Sequence, residues 1–492
     1  MADRKFVQSS SLFRKLHLLA RPERILVFLF VLTLPFSNPW VRGDGVGYYA
    51  YGRALLIQHN LDFAADYQRA NTSFREGRVD ELGQPRTEFR TSTGHLENHF
   101  TIGPAILWSP FLLAAHAGVL VARVFGSNVA ADGFSAPYRF AMALGTAFYG
   151  FLALFLSFRL ARKFVSEWVA LLATLAIWGG SSLAVYMYFN PSWSHAHSAF
   201  MVAAFVFYWQ HTREQRSLLR WALLGAIAGL MMDVYYANAM ILSAIAVEAV
   251  LDIRNSIMQR RFDTFPRLLG QYALFSLSLI VLFLPALIVK RVVYGSLMQT
   301  GYIPVSFWNW KSPVLLQVLF SANHGLFSWT PLLFFAVAGL FVFARRFPQV
   351  GWPMLLAVIG YYYFIASYPD WAGISSFGNR FFISLTVFFI VGLAMLLQVL
   401  EEHFRSARAA VTTTCALLLC FVAWNMGLMF QWGSQLIPAR GPVSWSEVVH
   451  NQFSEVPREL SSLLHDYFFR RKDLMRRIEQ RDVQQLKEQS TK

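Results

Sequence analysis

Four uninterrupted apolar runs of membrane-spanning length, residues 168–188, 270–289, 381–400 and 409–430, are the feature that most restricts how this chain can fold. A helix needs about 20 apolar residues to cross the hydrocarbon of a bilayer. Charged residues make up only 14% of the chain, whereas a soluble protein carries about 25%. The sequence therefore predicts an all-α polytopic membrane protein.

The excess of positive charge, +15 overall with a pI near 9.9, lies mostly in short loops between apolar runs. This distribution is typical of cytoplasmic loops in membrane proteins, so the charge gives no reason to expect nucleic-acid binding. We expect about 11 or 12 transmembrane helices of this length. If 103–124 and 138–158 both crossed, "RLARK" (159–163) would lie on the outer side, against the charge rule. One of the two is therefore expected to be partial, and Pro104 and Pro110 favour the first.

These patterns divide the chain into five segments: a cytoplasmic N-terminus 1–24, a first transmembrane helix 25–41, an outer loop 42–100, a multi-helix transmembrane domain 101–430 and a basic amphipathic tail 431–492. The tail contains "LSSLLHDYFFRRKDLMRRIEQRDVQQL", which is typical of a helix lying on anionic membrane lipids. Its side of the membrane depends on the number of spans.

The stretch "VRGDGVGYYAY" (41–51) places one acid, Asp44, between two glycines where the first apolar helix ends. Asp beside Gly is common turn chemistry, so Asp44 could simply belong to the end of that helix. It could also be a catalytic base held at the membrane surface. The residues of the stretch alone leave both interpretations open.

Four pieces in order along the chain resemble the GT-C glycosyltransferases. The resemblance is strongest to the bacterial branch related to protein O-mannosyltransferases and aminoarabinose transferases, the glycosyltransferase 39 type. The pieces are "GDGVGYYAYGRALLIQHNLDFAADY" (43–67), "ENHFTIGPAILWSPFLLAAH" (97–116), "NHGLFSWTPLLFF" (323–335) and "GISSFGNRFFISL" (373–385). The resemblance implies a GT-C-like bundle whose outer, periplasmic first loop carries interfacial helices and is catalytic.

Members of this family transfer a sugar from a polyprenyl-phosphate carrier, and the resemblance makes Asp44 the expected catalytic base. An acceptor hydroxyl is a poor nucleophile, so a carboxylate that takes its proton suits the reaction. The family often has a second acid directly after the first, whereas this chain has Gly45. No metal-ligating residue and no certain cofactor is predicted, although a divalent cation stays open.

Negative charge that develops on the departing phosphate needs cationic or strongly donating groups. Arg380 is the first candidate for this role, although an arginine there could also simply extend its charge to the interface. The other predicted substrate-binding residues lie in outer loops or near their ends: Tyr48, Asp66, Glu97, His99, His195, His197, Lys311 and His324. His195 and His197 are two residues apart and do not share a helix face, which argues against a metal site.

We therefore expect an integral-membrane glycosyltransferase, a hexosyl- or pentosyltransferase, that moves a sugar from a polyprenyl-phosphate donor to a hydroxyl or amine on the outer face. Its acceptor would be a lipid, a glycan or a protein, and the family resemblance implies the bacterial inner membrane. The alternative is a flippase or other transporter of lipid-linked sugars. A transporter would be expected to keep ionisable residues within its spans, whereas here the acids concentrate in the first loop.

Overall fold

The structure, a computed structural model, describes residues 21–75, 77–299, 301–403 and 407–490. Most of the predicted cytoplasmic N-terminus, residues 1–20, lies outside them. Helices dominate the described residues, which contain no β-strand and only three isolated β-bridges. Seven described helical segments are long and apolar enough to cross a membrane. The predicted all-α multi-pass membrane architecture is confirmed.

The main helices are α1 (Pro22–Thr33), α2 (Asp44–Arg53), α3 (Gly103–Val124), α4 (Ala136–Ala161), α5 (Glu167–Gly179), α6 (His195–Thr212), α7 (Leu218–Val234), α8 (Ser243–Met258), α9 (Phe265–Tyr294), α10 (Leu332–Arg346), α11 (Pro348–Ser367), α12 (Thr386–His403), α13 (Ala407–Ser434), α14 (Trp445–Phe453), α15 (Glu455–Phe469) and α16 (Arg471–Ser490). Short 3-10 segments precede α8 and α12, at Tyr236–Leu242 and Arg380–Leu385.

Contacts between loops and helix ends define two ends of the bundle. At the first, called the Arg216 end, polar side chains join the pairs Glu23–Arg162, Ser166–Gln398, Arg213–Gln349, Arg216–Glu248 and Arg346–Glu402. At the second, called the Asp44 end, contacts join Thr93–Val293, Thr101–Val234, Asn309–Ser367, His324–Ala372 and Asp44–Arg380. Among the described residues, eleven helices run between these ends: α1 and α4 to α13.

Helix α3 is apolar and long enough to cross, but its contacts confine it to the half of the bundle near Asp44. Trp108 donates to Thr146, and further along α3 His116 contacts Tyr138, so α3 runs towards the start of α4 and away from its far end. The loop after α3 returns to the first loop, where Asp132 pairs with Arg69 at 2.9 Å. Because α3 does not cross, residues 159–163 lie at the Arg216 end, as their charge predicts.

The apolar run 219–251 is divided near Asp233, because α7 ends at Val234 and the next helical segment starts at Tyr236. Asp233 is fully buried there, and its Oδ1 accepts from the Ala286 amide of α9 at 3.3 Å. Packing against α9 therefore removes Asp233 from solvent.

Close backbone approach packs the centre of the bundle. A Cβ on Gly339 of α10 would lie 2.0 Å from the carbonyl oxygen of Gly392 in α12, so both helices need glycine where they touch. Small residues at such contacts let helix backbones pack in the absence of a hydrophobic force between spans. This core holds the 3-10 segment that begins at Arg380 in a fixed place.

With eleven crossings, the chain after α13 returns to the same end as Asp44. Tyr467 and Arg471 donate to backbone carbonyls between Pro35 and Ser37, directly after α1. The predicted amphipathic tail is thus helical and packs on the protein beside the first loop. Its expected contact with anionic lipids stays a prediction.

Candidate active site

The Asp44 turn needs both of its glycines. Gly43 adopts φ +52°, in the left-handed region, and a Cβ there would lie 3.0 Å from the Trp193 ring. A Cβ on Gly45 would lie 1.9 Å from the Ser192 hydroxyl oxygen. Position 45 therefore has no room for the second acid that the family often carries. The close packing holds Asp44 as the first residue of α2, where helix N-terminal amides favour a negative charge.

Asp44 and Arg380 are 336 positions apart in sequence, and the structure joins them in an ion pair with 2.9 Å between Oδ2 and Nη2. Arg380 begins the 3-10 segment before α12, and its guanidinium lies over the Trp193 ring, 4.3 Å from the centroid. The Asp44 side chain keeps 33% of its surface exposed, whereas Arg380 is 9% exposed. The two predicted residues thus form one site.

Some hydrogen-bond donors of Arg380 are not used by the described residues. Its buried Nε and Nη1 atoms have no hydrogen-bond partner among the described residues. The nearby Asn379 Oδ1 and His195 Nδ1 are likewise buried without a described partner. Buried polar atoms are normally paired, so a group of them around one arginine indicates a site for a polar ligand. Phosphate oxygens and sugar hydroxyls are groups of the required kind.

Two histidines near the pair are neutral at pH 7. Burial lowers the pKa of His99 to about 4, despite the opposing effect of the Asp44 charge. Burial also lowers the pKa of His324 to about 4, helped by the positive charge of Arg380. The Nδ1 of His324 lies 2.9 Å from the Ala372 carbonyl, to which it donates, while its Nε2 has no described partner. Neutral imidazoles can accept hydrogen bonds from hydroxyl groups.

Tyrosines line the other side of Asp44. Tyr48 follows Asp44 by one turn of α2, and burial raises its pKa to about 12, with the Asp44 charge adding to the effect. Its ring packs on Phe100, while Tyr302 packs on His99. These aromatic side chains give the site a largely apolar wall with hydroxyl groups, which suits a sugar ring.

Four predicted binding residues have no described contact with the Asp44–Arg380 pair. Asp66 is buried against Arg53, with 2.6 Å between Oδ1 and Nε, and holds the first loop together. His197 packs against Trp108 and Tyr149 inside the bundle. Glu97 is half-buried, and desolvation raises its pKa. Lys311 is exposed on a loop.

Lys290 was missed by the sequence analysis. It lies in the last two turns of α9, is 3% exposed and donates to the carbonyls of Asn98 and His99 at 3.2 and 3.3 Å. Ionisable residues in membrane spans are a functional signal, and Lys290 directly follows the apolar run 270–289. Arg440 was also missed, and it pairs in an isolated bridge with Ser375, on the loop that carries Arg380.

No group of three or more His, Cys, Asp or Glu side chains in the described part of the chain is placed to hold a metal ion. The Asp44–Arg380 pair, the two neutral histidines and the tyrosines constitute the candidate site. The arrangement combines a carboxylate that can take a proton with an arginine that can bind an anion.

No protein-family model matches this chain, and no curated protein matches it. Among solved structures, it is similar to the crystal structure of ArnT from Cupriavidus metallidurans bound to undecaprenyl phosphate. The two share 13% identity with a TM-score of 0.43, over 83% of this chain and 70% of that one.

Proposed function

We propose that this chain is a GT-C-type integral-membrane glycosyltransferase that moves a sugar from a polyprenyl-phosphate donor to an acceptor hydroxyl or amine. The Asp44–Arg380 ion pair carries the proposal, because it joins a partly exposed carboxylate to a buried arginine with unused donors. Both residues lie in stretches that resemble the family. Bacterial inner-membrane localisation is part of the same proposal.

Arg380 binds the donor phosphate in this proposal. Its Nη2 holds Asp44, and its Nε and Nη1 atoms, which have no described partner, are available to donate to phosphate oxygens. Stacking on Trp193 fixes the plane of the guanidinium. The same contacts strengthen as the sugar–phosphate bond breaks, because negative charge then collects on the phosphate.

Asp44 takes the proton of the acceptor. The acceptor oxygen or nitrogen attacks the anomeric carbon and forms the new glycosidic bond while the carbon–oxygen bond to phosphate breaks. The bonding electrons leave with the phosphate, and the acceptor proton moves to Asp44. One direct displacement of this kind inverts the anomeric centre.

An apolar groove of about 860 Å³ is our candidate for the prenyl chain of the donor. It is lined by the segment that follows α1, by α3 and α4, and by Phe468 and Arg471. Ser37 lines the groove, and only six residues separate it from Asp44. A chain bound there would stay in an apolar environment while its phosphate approached the Asp44 end.

A glycosyltransferase and a transporter differ in whether the sugar is moved from the lipid to a new covalent partner. Deleting the gene for this protein should cause one polyprenyl-phosphate sugar to accumulate, and mass spectrometry of the lipid extract identifies it. The purified protein should then transfer that sugar from the lipid to an acceptor in a detergent or nanodisc assay. Movement of the intact lipid-linked sugar across vesicles, with no change in its mass, would instead establish a flippase.

A further inference from the structure

Helix α16 packs against the segment that carries Asp44. Two acids three residues apart on it, Glu479 and Asp482, share one face and point at the first loop. Asp482 is 5% exposed and pairs with Arg42, two residues before Asp44. Its second oxygen accepts from Gln435 Nε2 at 2.8 Å, which fixes the carboxylate.

Glu479 is linked to Gly43, the residue before Asp44, by hydrogen bonds through Asn71. Its oxygens accept from Asn71 Nδ2 at 3.0 and 3.1 Å and from the Ser73 amide at 2.6 Å. Asn71 in turn accepts from the Gly43 amide at 3.0 Å through its Oδ1. Because Glu479 accepts from the side-chain amide nitrogen of Asn71, the side-chain oxygen of Asn71 is directed at the backbone N–H of Gly43.

The two contacts therefore fix the residues on which the direction of the Asp44 side chain depends. Gly43 is in the left-handed region, and a glycine there gains wide conformational freedom when its contacts are lost. Hydrogen bonds to charged groups are stronger than those between neutral groups, and both acids are ideally placed to make them.

We propose that Glu479 and Asp482 are positioning residues that hold Asp44 in its reactive orientation, so that the C-terminal helix is part of the catalytic site. The expected loss of turnover rests on the proposed function, whereas the orientation of Asp44 by the two acids does not. Neither acid contacts Arg380 in the structure, so the expected defect lies in turnover and not in donor binding.

The test compares the full-length Glu479→Gln/Asp482→Asn variant with wild type in nanodiscs. We expect amide exchange in residues 42–47 to be about tenfold faster or more, the scale for lost hydrogen bonds to charged groups. The kcat for sugar transfer should fall by a similar factor while the donor KM stays within about twofold. Asp473→Asn is the matched control, because Asp473 is 65% exposed and its one ion pair within the described part of the chain is with Arg476 on its own helix.

Two further variants guard against a simple folding defect. Asp482→Asn alone keeps Glu479 and should show an intermediate exchange rate, whereas Asp482→Glu keeps the charge and should recover most turnover. Unchanged exchange in 42–47, or faster exchange with wild-type kcat, would overturn the positioning role. Faster exchange in a protein whose wild type transfers no sugar would retain the positioning of Asp44 and reject the proposed function.

Discussion

Two arginine–carboxylate pairs lie at opposite ends of the bundle, and they differ in how completely their polar atoms are used. Arg216 pairs with Glu248 at 2.6 Å and also donates to Thr212 Oγ1 and the Trp209 carbonyl. Trp209 in turn donates to Glu248. Arg380 pairs with Asp44 at 2.9 Å, but two of its nitrogens have no described partner.

The difference separates a structural pair from a functional one. Every nitrogen of Arg216 has a protein partner, so a ligand would have to displace existing bonds. Arg380 is as deeply buried as Arg216, at 9% and 8% exposed, yet its unused donors face a site with other unpaired atoms. A buried donor without a partner costs free energy unless a ligand supplies one. Variants at the two ends should therefore fail in different ways.

The largest effect is expected at the structural pair. Glu248→Gln leaves the Arg216 charge buried without its counterion, which typically costs about 3–5 kcal/mol of stability. The unfolding midpoint of the purified variant should fall steeply, while kcat per folded molecule stays at the wild-type value. A normal unfolding midpoint together with a large loss of kcat would show that the Arg216–Glu248 pair takes part in the reaction and would contradict its structural role.

At the Asp44 end, Arg380→Lys should preserve folding and weaken donor binding. Lysine keeps the charge but loses the planar guanidinium group, whose donors bind phosphate and whose face stacks on Trp193. We expect the donor KM to rise about 10- to 100-fold, the scale for one charge-assisted hydrogen bond or two. Arg346→Lys is the matched control, since its pair with Glu402 is exposed. An unchanged KM would remove the phosphate role of Arg380.

His324→Asn tests whether the unpaired ring atom contacts the substrate. The asparagine amide nitrogen takes the position of Nδ1 and can still donate to the Ala372 carbonyl, while the acceptor at Nε2 is lost. One neutral hydrogen bond changes kcat/KM by about 2- to 10-fold. Because the pKa of His324 is about 4, the ring is neutral from pH 6 to 8, and the defect should be constant over that range. A defect that grows below pH 7 would show that a protonated ring is the active form.

The smallest effect is expected from Gly118→Phe in the apolar groove. Nothing lies within 4 Å of a Cβ at this position, so the ring should fill the groove without disturbing the bundle. Excluding one methylene of the prenyl chain from apolar burial costs about 0.8 kcal/mol, a factor of about four in donor KM. Wild-type KM would show that the donor chain binds elsewhere.

Hydropathy was sufficient to predict the helical membrane fold, because a bilayer accepts few backbone structures. Hydropathy alone would make α3 a full span, whereas the charge of residues 159–163 and the prolines of α3 favoured a partial one, as its contacts with α4 show. The sequence also named Asp44 and Arg380, since charged residues at helix ends are conspicuous in an apolar chain. It could not foresee that Asp66 would pair with Arg53, or that α16 would pack beside Asp44, because both depend on tertiary packing.

The central claim is that Asp44 takes the acceptor proton. Asp44→Asn keeps the size of the side chain but cannot accept that proton, so single-turnover sugar transfer at saturating donor should fall about 10²- to 10⁴-fold. Donor affinity and the unfolding midpoint should match wild type, and Asp62→Asn, an exposed acid of the same loop, should transfer normally. Near-wild-type transfer by folded Asp44→Asn would contradict the catalytic role and leave the Asp44–Arg380 pair as a structural contact.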